Sequence, residues 1–145
     1  AERHLRWLND GGWNEVERQH RRLVVLRSRA PQDQDACCER ESTRFIDERL
    51  DRFGPKQLRN LWQWLGLTRY EIPVDSRVTR WLNGRVFHRK EFKLSAQPLA
   101  DKNYYEFVLD GIQILCRSAD VLPCVFDASV FSTYDREWRA EDLDN

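Results

Sequence analysis

At 145 residues, with 41% hydrophobic and 33% charged side chains, the chain is long enough to bury one core and too apolar for a disordered segment. Its 24 basic and 24 acidic residues cancel, which argues against coating nucleic acid by bulk charge and leaves room for a local basic face. No apolar run approaches a membrane span, and no secretory pattern follows Ala1-Glu2-Arg3-His4. A cytoplasmic (nucleoid-associated) or nuclear protein is therefore expected, a monomer with no membrane partner.

The elements read as an all-α single domain over 1–145. Glu2–Asn9 is a short helix with Leu5 and Leu8 on one face, ended by Gly11-Gly12. Trp13–Arg29 is a second, its apolar period set by Trp13, Val16, Val24 and Leu26. After the polar connection 31–35, a third runs from Ala36 to Phe53. Phe45, Ile46 and Leu50 are its apolar positions, and Glu39, Glu41, Arg44 and Glu48 its solvated face. Phe53-Gly54-Pro55 breaks the pattern: Gly54 can close a helix in a left-handed conformation, and Pro55 suits the first turn of the next. That helix reaches Leu65 and stops at Gly66.

The connection 67–74 holds Ile72 extended ahead of Pro73. Asp75 is the natural N-cap of a helix whose stripe is Val78, Trp81 and Leu82. Residues 84–100 are irregular, with short strands or loop at 85–87 and 92–94. Asp101 caps a helix to Arg117 carrying Tyr105, Val108, Leu109, Ile112 and Leu115 on one face. Pro123 starts a last helix to Ser132, and the charged tail from Asp135 frays.

Cys37, Cys38, Cys116 and Cys124 match no zinc spacing, and His4, His20 and His88 are scattered, so no metal or cofactor is expected. Trp62, Trp64 and Trp81 read as core aromatics, whereas Phe87-His88 is a candidate wedge or pocket loop.

Two helices joined by a tight turn present the unpaired amides and positive dipole end of the second to an anion such as a DNA phosphate. Lys56 lies in that first turn. The dipole disfavours a cation there, and only a neutral amine attacks as a nucleophile. Asp75 follows nineteen positions later. The helix from Pro55 to Leu65 spans about 16 Å, and the return 67–74 can span ~26 Å. Lengths therefore allow Lys56 and Asp75 to meet at one end of two helices. A carboxylate there can stabilise an oxocarbenium-like sugar as a base departs, or shuttle a proton from the amine.

The segment Phe53-Gly54-Pro55-Lys56-Gln57 … Ile72-Pro73-Val74-Asp75-Ser76-Arg77 resembles the helix-hairpin-helix/Gly-Pro-Asp DNA glycosylase superfamily, to which endonuclease III-like and 8-oxoguanine glycosylase-like enzymes belong. The likeness covers about 50–83, with the hairpin and catalytic-type segment over about 36–83. It departs at Asp51 (a proline in the family), Arg52 (a glycine) and Leu58 (a small residue). The resemblance implies that Lys56 is a Schiff-base lysine and Asp75 the essential aspartate of a base-excision repair glycosylase with AP-lyase activity. Its partner is then double-stranded DNA with a damaged base or abasic site. Phe53, Gly54, Pro55, Gln57, Arg59 and Arg77 are the candidate DNA contacts. The alternatives are a non-catalytic helix-hairpin-helix DNA-binding module and a helical interaction domain.

Overall fold

The computed structural model describes residues 2–50 and 54–134. Every regular element among them is helical, as the 3.6-residue apolar periods require. The chain divides into two units, Ala1–Pro73 and Val74–Asn145.

In the first unit, α1 (Glu2–Trp7) leads through a wide turn, Leu8–Gly12, into α2 (Trp13–Arg27). A Cβ on Gly12 would lie 2.6 Å from the Trp7 carbonyl oxygen, so the turn closes only around a glycine. α3 (Asp35–Asp47) packs on α2, and α4 (Pro55–Trp64) packs on α3. Leu23, Ile46, Leu58, Trp62 and Leu67 form the core, flanked by Val16, Leu26, Phe45 and Leu50. α4 ends where the Leu67 amide donates to the Trp62 carbonyl and Gly66 takes φ 69°, the left-handed conformation that stops a helix.

Several expectations are corrected here. α2 buries Gln19 and Leu23, while Trp13 and Val24 are exposed, because the face at Val16, Gln19, Leu23 and Leu26 turns inward. Trp64 is 89% exposed, so of the α4 tryptophans Trp62 alone is core. α3 ends at Asp47, earlier than Phe53, which with Asp51 and Arg52 lies outside the described residues. Gly54 is extended (φ −75°, ψ 163°) and is the N-cap of α4 rather than a left-handed closure of α3.

In the second unit, α5 (Ser76–Arg85) is capped by Asp75, whose Oδ1 accepts from the amides of Arg77 (2.8 Å) and Val78 (3.0 Å). Asp101 caps α6 (Lys102–Ser118) through the Tyr104 amide, and α7 (Pro123–Tyr134) packs on both α5 and α6. Tyr105, Val108, Leu109, Ile112 and Cys116 are the buried stripe of α6. Between α5 and α6 the chain makes single turns at Lys90–Phe92 and Pro98–Ala100, with no strand among the described residues. The Val86 and Phe87 amides donate to the Leu82 carbonyl, and the Asn83 side chain donates to the Leu94 carbonyl and accepts from the Leu94 amide, so these backbone groups are bonded without a strand partner. The tail from Asp135 lies outside the described residues. No helix described is long and apolar enough to cross a membrane.

Candidate active site

Lys56 follows Pro55 in the first turn of α4 and is half-buried. It belongs to the first unit, Asp75 to the second. Asp75 is held at both oxygens: Oδ1 by the two cap amides, Oδ2 by Arg77 Nε at 3.0 Å. The Val74 amide just before it donates to the Tyr105 hydroxyl oxygen at 2.5 Å, which ties the start of this unit to α6. The backbone leading into Asp75 and the carboxylate itself are thus both fixed.

The candidate DNA contacts separate. Gln57 is exposed on α4. Arg77 is half-buried, bonded to Asp75 and seated 4.0 Å over the Phe131 ring. Arg59 is corrected: it is 2% exposed, its Nε and Nη2 pair with Glu71 Oε2 at 2.8 and 2.7 Å, and its Nη1 donates to the Pro55 carbonyl at 2.9 Å. A guanidinium buried and paired in this way is out of reach of a phosphate at the surface. Pro55 is corrected with it, since it too is buried and serves to start the helix. Phe53 lies outside the described residues.

The partners of Arg59 expose what the sequence reading missed. Glu39, assigned there to a solvated face, is 2% exposed. Its carboxylate accepts from three successive amides, Arg69 (2.9 Å), Tyr70 (2.8 Å) and Glu71 (3.0 Å). Glu71 is fully buried and receives Arg40 Nε at 2.9 Å as well as Arg59. Arg69 donates to the carbonyls of Arg27 and Arg29, so it caps the end of α2. The connection 67–73 is thereby bonded to α2, α3 and α4 at once. Burial pushes the Glu39 carboxyl up to about 7 against the pull of the three amides, with the charge of Glu71 adding to the rise. Thr68, Arg69 and Glu71 are all buried in this loop beside the apolar Leu67 and Ile72, and nothing local in the sequence marks them as such.

A concave region lies within the second unit. It is an apolar cavity of about 790 Å³ lined by Leu82, Phe87, Phe92, Tyr104, Phe107 and Leu115, among others. Phe87, the suggested pocket residue, does line it, while His88 is exposed. None of the four cysteines is in a disulfide; burial, then Cys124, pushes the Cys116 thiol up to about 11, which keeps it unreactive. No group of three or more His, Cys, Asp or Glu among the described residues is arranged to hold a metal ion.

No family model, curated protein or solved structure matches the chain.

Proposed function

We propose that this chain is a divergent helix-hairpin-helix/Gly-Pro-Asp DNA glycosylase with AP-lyase activity, acting on a damaged base or abasic site in double-stranded DNA. The observation that carries the reading is that Lys56 occupies the first turn of α4, directly behind Gly54-Pro55, and Asp75 caps α5 directly behind Pro73-Val74.

The chemistry follows from those two groups. The Lys56 amine attacks C1′ of the deoxyribose, the C1′–N bond breaks, and its electron pair leaves with the base, which takes up a proton. Asp75, held in one orientation, offsets the positive charge that builds on the sugar or accepts the proton released by the amine. Each of its oxygens retains lone-pair capacity beyond the bonds described. Opening of the sugar ring gives an imine on Lys56. Loss of a C2′ proton from that imine then expels the 3′ phosphate and cleaves the strand.

Borohydride reduction of the imine on an abasic-site duplex tests this. Lys56→Ala abolishes the trapped adduct, and Asp75→Asn slows its formation by roughly 10²–10⁴-fold. An adduct formed by Lys56→Ala as readily as by the parent removes Lys56 from the mechanism.

A non-catalytic DNA-binding module is the second reading, favoured by the engagement of both Asp75 oxygens within α5. Salt-dependent DNA binding by a parent protein that forms no adduct selects it.

A further inference from the structure

We infer that a groove along one face of α5 grips the phosphodiester backbone of nucleic acid. The inference rests on the glycosylase reading only in taking nucleic acid as the polyanion. The groove, about 400 Å³, is lined by Ser76, Thr79, Arg80, Asn83, Gly84 and Lys93, all within the second unit.

The first five of these recur at helical spacing, so one stripe of a ten-residue helix is built from hydroxyl, amide, guanidinium and glycine. These are the side chains that contact phosphate and sugar in protein–DNA interfaces. Gly84 leaves the floor open: a Cβ there would meet nothing within 4 Å, so packing does not require a glycine at that position. Among the described residues no acidic side chain lines the groove.

Both cations are positioned by the fold. Asn83 holds Leu94 by two hydrogen bonds, of 2.9 and 2.8 Å, and so fixes the backbone that carries Lys93 to the edge of α5. The Arg80 guanidinium lies 5.3 Å from the Tyr134 ring centroid, a cation–π contact that restricts its arm, and the residue is exposed. Neither side chain enters an ion pair among the described residues; by contrast Arg77, one turn away, is bound to Asp75. A phosphodiester brings to such a site a single negative charge and two accepting oxygens, which two cations and the neighbouring hydroxyls and amide can share. The groove supplies a local basic face of the kind that a net charge of zero leaves room for.

The test is the salt dependence of affinity for an undamaged duplex, measured for the parent, the double variant Arg80→Gln/Lys93→Gln, and Arg6→Gln as an exposed-cation control outside the groove. Each lost phosphate contact lowers the slope of log K against log salt by about 1. The double variant, which removes the one phosphate contact the two cations share, therefore loses about 1 from the slope and weakens binding roughly ten-fold or more at low salt, with an unchanged circular dichroism spectrum, while the control keeps the parent slope. An unchanged slope in the double variant, an equal loss in the control, or a parent that binds no duplex at low salt overturns the groove. Borohydride trapping separates this from the parent reading. Adduct formation with an unchanged slope removes the groove and leaves the glycosylase. A lower slope in a protein that forms no adduct leaves the groove and removes the glycosylase.

Discussion

Arg59 illustrates how a side chain's surroundings decide its role. Read along the helix it is a cation near a hairpin, free to meet a phosphate; in the fold it is buried against Glu71, and Leu58 beside it fills the core. Arg59→Ala leaves Glu71 paired with Arg40 and opens a void beneath α4. A loss of about 3–5 kcal/mol in urea-unfolding stability is expected, the cost typical of removing one member of a buried ion pair. Asp75 separates stability from chemistry at the same scale. Asparagine caps a helix about as well as aspartate, so Asp75→Asn keeps α5 intact within a few tenths of a kcal/mol, whereas alanine costs about 1 kcal/mol. Loss of adduct formation in Asp75→Asn at undiminished stability therefore reports on the carboxylate's charge and not on the cap.

At the scale of the elements, what was legible in the sequence was local. Pro55 starting α4, Gly66 stopping it, Asp75 and Asp101 as caps, and the stripe of α6 all depend on residues within about one turn of each other, so their chemistry is visible in order along the chain. The connection 67–73 was not legible, because its bonds join residues far apart: Arg59 to Glu71 across 12 positions, Arg40 to Glu71 across 31. Glu39 sits among charged neighbours on α3, and charge at helical spacing reads as a solvated face until a partner loop covers it. The candidate site shares this division. Lys56 and Asp75 were identified by their places at helix starts, whereas the groove on α5 required Asn83 to bring Lys93 alongside, a contact between residues eleven apart in sequence from Asn83 to Leu94. Helix propensity gives a separate prediction. Gly111 is exposed in the middle of α6, and a Cβ there meets nothing within 4 Å. Gly111→Ala is expected to raise stability by about 0.5–1 kcal/mol in thermal or urea unfolding.

For the molecule as a whole, the buried Glu39 sets a pH dependence of stability. Its carboxyl titrates near 7 in the fold against an ordinary value of 4.5. Between these values the folded state binds a proton that the unfolded state has released. Stability from this group is complete below about pH 4.5 and is lost as pH rises to about 7, a change of about 3 kcal/mol. Urea midpoints taken from pH 4.5 to 8 are expected to fall more steeply for the parent than for Glu39→Gln. The variant is less stable overall, since one amide oxygen replaces two carboxylate oxygens that hold three amides. Equal slopes for the two proteins would show that Glu39 does not titrate in this range.

The central claim concerns one amine. The chain has four lysines, Lys56, Lys90, Lys93 and Lys102, and these divide between the start of α4 and the second unit. The most direct measurement is to trap the parent protein on an abasic duplex with borohydride, digest the adduct and locate the sugar remnant by mass spectrometry. The account predicts that the remnant is on the peptide containing Lys56 and on no other. A remnant on Lys90, Lys93, Lys102 or the terminal amine, or no adduct at all, would contradict it.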